Sequence, residues 1–144
     1  MSAYLLDVNV LVAIAWPRHT SHSTVQKWLA RHDRERWATC PLTQAGFVRI
    51  ISNPAFSRDA LAPQHALSLL RANLQHPAHQ FWPDALSVHE ALRKVRPITG
   101  HKQITDAYLL ALAISKMATL VTLDKSLAKL LPKDAPGNSV VILS

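Results

Sequence analysis

Apolar positions along the chain follow two rhythms. Short continuous runs bounded by turn residues read as buried strands: "YLLDV" at 4–8, "RWATC" at 36–40, "HQFW" at 79–82, "TLVTL" at 119–123 and "SVVIL" at 139–143. Between them lie longer segments with helical spacing. These are Val10–Trp16, stopped by Pro17, and Ser21–His32, with Ser23 and Gln26 at the spacing of a capping box. Leu42–Asn53 follows and ends at an Asn-Pro step, and Ala62–Gln75 carries Pro63 in its first turn. Leu86–Val95 is opened by Ser87, Ile104–Met117 is the longest apolar helix, and Asp124–Leu131 is short. Strand and helix alternate throughout, which predicts an α/β fold: a central, mostly parallel five-stranded sheet flanked by helices. No repeat or linker divides the chain, so residues 1–144 are expected to form one domain.

Composition narrows the function. With 49% apolar residues the chain can build a core, and the run from Val8 to Trp16 is too short to cross a bilayer. A single cysteine, Cys40, excludes an internal disulfide and the Cys-rich zinc modules. With no signal peptide, it points to a reducing cytoplasm. Net charge is +7, from 16 Lys and Arg against 9 Asp and Glu, a balance suited to a polyanionic partner such as RNA.

Acids are therefore scarce, and three of them fall in equivalent places. Asp7 ends the first strand, Asp124 follows "TLVTL", and Asp106 enters the long helix beside Thr105, a candidate cap. In an open α/β sheet the ligand site lies at the carboxyl ends of the strands. One such Asp alone reads as a helix cap. Three on one rim of a basic chain repel one another unless a cation neutralises them. A hard divalent ion with oxygen ligands, Mg²⁺ or Mn²⁺, is the expected partner.

The stretches "LLDVNVLVAIAW", "LTQAGFVRIISNP", "ITDAYLLALA" and "TLVTLD" together resemble PIN-domain proteins, specifically the VapC-type toxins of bacterial toxin–antitoxin pairs. The resemblance covers nearly the whole chain in order and spacing. It implies a metal-dependent endoribonuclease acting on transfer or ribosomal RNA, a small VapB-like antitoxin as partner, and a homodimer. Carried over, Asp7, Asp106 and Asp124 are the catalytic, metal-holding acids, and Asn9 and Thr105 are supporting residues. The family's second acid, a Glu on the helix after the second strand, falls on Gly46 in this alignment. That departure supports an alternative: a PIN-like module that binds RNA or antitoxin but cleaves little. A glycine inside a helix also suggests close approach of substrate backbone at that point.

Other signals are weaker. Arg49, His101 and Lys102 are candidate phosphate contacts. The pairs His19/His22 and His76/His79 lack the companions a zinc site needs. Trp16, Trp28, Trp37 and Trp82 are expected in the core or an interface, and Asp84 as a helix cap. "DVN" lacks the second Asp of a haloacid-dehalogenase-like phosphatase, and the acid and Lys pattern of a response-regulator receiver is missing.

Overall fold

A computed structural model describes residues 3–144; Met1 and Ser2 lie outside the described residues. Five strands, β1 (Ala3–Leu6), β2 (Arg36–Thr39), β3 (His79–Phe81), β4 (Thr119–Thr122) and β5 (Val140–Ile142), form one sheet in the order β3-β2-β1-β4-β5. Every pairing is parallel, so the carboxyl ends share one rim. Leu5 lies opposite Ala38 and Leu120, and Leu6 opposite Val121.

The continuous apolar runs of β1 and β4 follow from burial on both faces. Leu5 and Leu120 point to one layer, built on α6 (Ile104–Ser115) with Ala107, Leu109 and Leu112. Leu6 and Val121 point to the other, with α1 (Val8–Ala15), α2 (His22–Arg31), α3 (Pro41–Ile51) and α4 (Pro63–Leu74). That second layer is filled by Val10, Val25, Trp28, Phe47 and Ile51. A single turn of helix, α5 (Val88–Leu92), packs on α6.

Several boundaries depart from expectation. The capping box at Ser23 and Gln26 does not form, because α2 begins at His22 with Ser21 in the cap position and no side-chain cap bond. The preceding loop is held instead by His22 Nδ1, 2.6 Å from the Ala13 carbonyl, and by the Ser21 N–H donating to His19 Nδ1 at 3.0 Å. The segment after Asp124 is a 3-10 turn, Lys125–Leu130, rather than an α-helix. Ser87 caps α5 by accepting from the Glu90 N–H at 3.2 Å. Asp84 therefore caps nothing; it is exposed near Cys40 and Tyr108. Among the described residues no helix is long and apolar enough to cross a membrane.

Candidate active site

Asp7 stands where β1 passes into α1, with only 5% of its surface exposed. It is the N-cap of α1: the Val8 N–H donates to its Oδ1 at 2.7 Å. Its other oxygen, Oδ2, accepts from the Thr122 hydroxyl at 2.7 Å, which ties the end of β1 to the end of β4. Thr122 is the hub of the rim. It is fully buried, donates its one proton to Asp7, and accepts from Asn9 Nδ2 at 3.3 Å and from the Asp124 N–H at 3.0 Å. That uses the full capacity of a hydroxyl. Asn9 also accepts from the Leu123 N–H at 3.2 Å, so it staples the first turn of α1 to the chain leaving β4. Asn9 and Thr122 together tie the two strand ends, and Thr122 is the residue that sequence reading passed over. Its signal was a lone hydroxyl at the end of a buried strand, two residues before an acid.

Asp124 caps the 3-10 turn, accepting from the Ser126 N–H at 2.9 Å and the Ser126 hydroxyl at 2.7 Å. Asp106 lies in the first turn of α6 and caps nothing. Thr105 does not cap α6 either: the helix begins at Ile104, leaving Gln103 at the cap position and Thr105 exposed one residue inside. Gln103 Oε1 instead accepts from the Thr99 N–H at 2.6 Å, fixing the loop that leads into the helix.

Asp7 and Asp106 both respond to their acidic neighbours. Burial, then the Asp7 and Asp124 charges, push Asp106 up to about 6. Burial raises Asp7 most, the bonds from Thr122 and Val8 pull it back, and Asp124 raises it again. Among the described residues the one ion pair is Arg18 with Asp59, on the surface, so no side-chain cation offsets this charge. Nor do any three His, Cys, Asp or Glu side chains stand at metal-ligand spacing there. The acids converge electrostatically without closing into a coordination shell. All are hard oxygen donors, and Asp7 is a buried carboxylate held by donors and left without a counter-charge, so the set fits a divalent ion such as Mg²⁺ or Mn²⁺.

Gly46 is buried where α3 meets the start of α1. A Cβ there would lie 2.7 Å from Val8 Cγ2 and 3.3 Å from Val8 Cγ1, so the glycine lets α3 pack against the start of α1. Neither a carboxylate at the rim nor substrate backbone fits this position, and both readings of Gly46 are corrected. The polar side chain that α3 sends to the carboxyl end of the sheet is Gln44. Its Nε2 donates to Thr39 Oγ1 at 2.9 Å, and that hydroxyl lies 2.7 Å from His79 Nε2. Gln44 is a neutral amide of glutamate shape.

His101 and Lys102 are exposed in the 3-10 turn just before α6, close in sequence to Asp106. Arg49 is exposed in the last turn of α3, eight residues beyond Pro41 and so about 12 Å down the helix from the rim. Trp28 and Trp82 are buried, each 7% exposed, as core residues. His76 Nδ1 accepts from the Ala78 N–H at 3.0 Å, so one ring nitrogen of each histidine in the two His-x-x-His pairs is engaged by the chain itself.

Comparison with known proteins agrees with this architecture. The model of the PIN domain family matches residues 4–130. Ribonuclease VapC39 of Mycobacterium tuberculosis is 39% identical over 125 residues, covering 86% of this chain and 90% of that protein. Ribonuclease VapC38 of the same organism is 42% identical over 120 residues, covering 83% and 84%. Among solved structures, VapBC2 of Rickettsia felis, bound to a DNA fragment from its promoter, aligns with a TM-score of 0.66 at 17% identity, covering 99% of each chain. M. tuberculosis VapC20, described as a sarcin-ricin-loop-cleaving toxin, aligns with a TM-score of 0.61 at 12% identity, covering 90% of this chain and 99% of that one.

Proposed function

Since the chain belongs to the PIN-domain family, in its VapC branch, we propose that it is a divalent-metal-dependent endoribonuclease, the toxin of a toxin–antitoxin pair. One observation carries the reading: Asp7 is buried at the end of β1 with Asp106 and Asp124 in electrostatic reach and no cation beside it among the described residues. Asp106 is the most telling member, because it performs no local structural task that would explain an acid there.

Asp7 and Asp106 would hold the ion, and Asp124 would complete the acidic ring and orient the attacking water. When bound, the ion lowers the pKa of water and offsets charge developing on the phosphate oxygens. The chain itself contributes preorganisation. Thr122 and the Val8 N–H fix both oxygens of Asp7, and Asn9 locks the two strand ends together, so the acids need little rearrangement. His101 and Lys102 would position phosphates of the RNA, with Arg49 a more distant contact. The partner is a small VapB-like antitoxin that inserts an Arg or Lys among the carboxylates, and the toxin works as a homodimer. Retention of the antitoxin by a triple Asp→Asn variant in a pull-down would exclude the inserted cation.

A second reading, a binding module that cleaves little, is favoured by Gln44, which brings an amide rather than a carboxylate to the rim. Mapping new RNA 5′ ends after brief induction separates the two. The nuclease reading expects discrete new ends with the wild type and none with Asp106→Asn. Growth arrest without new ends supports the binding module.

A further inference from the structure

At the amino end of the sheet, opposite the acidic rim, the chain encloses a cavity of about 210 Å³. Leu11 and Ile14 of α1, Leu29 of α2 and the ring of Trp37 form its apolar walls. Glu35 and His76, from the segments that lead into β2 and β3, bring polar atoms to it.

Glu35 makes this more than a packing gap. Its Oε2 is shut off from solvent and has no hydrogen-bond partner among the described residues. Arg34 and Arg36 flank it but are exposed and form no ion pair with it. A buried polar atom without a partner is uncommon and calls for one. Asp33 lines the same cavity, so two of the chain's 9 acids meet here in a molecule of net charge +7. Tyr4 stands beside this carboxylate: burial first, then hydrogen bonding to Glu35 and its charge, push the phenol up to about 12, while Oε2 itself stays without a partner.

The histidines are set by their bonds. His32 Nδ1 lies 2.7 Å from the Trp28 carbonyl, so it carries the proton there and Nε2 is an acceptor. His76 accepts at Nδ1 from the Ala78 N–H, which leaves an Nε2–H to donate. The walls are mostly apolar, with too few oxygen ligands to suit a hydrated divalent ion. Its volume lies below the roughly 300–1,000 Å³ of drug-sized pockets, which limits the occupant to a small group. An anion would be repelled by Glu35 and Asp33, and a neutral ligand would leave Glu35 Oε2 buried and unpaired.

We propose that this cavity is a binding site for a small organic monocation, an amine or guanidinium on an apolar or aromatic stem. The cationic head pairs with Glu35 and the stem packs between Leu11, Ile14, Leu29 and Trp37. The same chemistry is offered by a free amine and by the Lys or Arg side chain of a protein segment.

The test titrates the full chain by calorimetry with tryptamine, agmatine, uncharged tryptophol and the capped peptide acetyl-Ala-Arg-Ala-amide. Tryptamine is expected to bind at least about tenfold more tightly than tryptophol. Glu35→Gln is expected to remove that difference, and Ala78→Leu, which fills space, to weaken both. Agmatine and the peptide binding alike identifies a side chain from a protein partner, and agmatine alone a free amine. Equal affinity for tryptamine and tryptophol overturns the proposal, as does unchanged tryptamine binding in Glu35→Gln or no saturation by any probe at millimolar concentration. The charge comparison uses wild-type protein, so a variant that fails to fold does not remove the test.

Discussion

Asp7 and Glu35 stand at opposite ends of the same parallel sheet, and each keeps a carboxylate oxygen away from solvent. Their surroundings differ in kind. Both oxygens of Asp7 accept short bonds, from the Val8 N–H and the Thr122 hydroxyl, and two more acids converge on it. Glu35 Oε2 has no donor among the described residues and apolar walls around it. A fixed set of hard oxygens with excess negative charge suits a small divalent ion. A single carboxylate among apolar and aromatic side chains suits a bulkier monocation whose stem can be buried. On the two proposals made above, the surroundings of each carboxylate, rather than the carboxylate itself, would decide which cation it takes.

The largest expected effect is at the rim. Asp7→Asn or Asp106→Asn should each slow RNA cleavage by purified protein at least about a hundredfold, since each removes a charge that would hold the ion. Glu35→Gln should leave cleavage within about twofold, because its site is at the other end of the sheet. A comparable loss from Glu35→Gln would merge the two regions into one functional unit.

Next in size is Gly46→Glu. The Cβ alone collides with Val8, a β-branched side chain with little rotamer freedom, and overpacking of this kind costs about 1–3 kcal/mol. Thermal denaturation should show a lowered Tm, partly recovered when Val8→Ala is added. A Gly46→Glu protein of unchanged Tm with tighter Mn²⁺ binding would return Gly46 to the rim.

Smaller still is a stability effect in metal-free protein. Asp106 has a folded-state pKa near 6, above its ordinary value of 3.8, so the folded state holds its proton more tightly. Stability from this group is therefore fullest below about pH 4 and falls as pH rises towards 6. Asp106→Asn should remove that loss. Discounted for partial exposure, the variant should be about 1 kcal/mol more stable than wild type at pH 7 in EDTA and equal to it near pH 4, as urea denaturation would report. The smallest effect belongs to Lys102→Ala, which should weaken RNA binding a few-fold and reduce the salt slope by about one.

Much of this was legible in the sequence. The runs around Leu5–Leu6 and Leu120–Val121 announced strands buried on both faces, and an acid follows each, Asp7 directly and Asp124 three residues on. What stayed hidden depended on packing between distant segments. Thr122 reads as an ordinary strand residue until β1 is laid beside β4. Gly46 takes its meaning from Val8, which α1 brings against α3. Thr105 and Ser23 failed as caps because each helix starts earlier than side-chain chemistry alone suggests, with loop bonds from Gln103, His19 and His22 fixing the entry. The Glu35 cavity joins residues from the ends of α1, α2 and α4, which no local pattern connects.

The acids at the carboxyl end of the sheet are expected to cleave RNA only with a divalent ion. Purified wild-type protein should cleave total RNA in Mg²⁺ or Mn²⁺, lose that activity in EDTA, and regain it when the ion is restored in excess. Cleavage undiminished in EDTA would rule out a metal-dependent site.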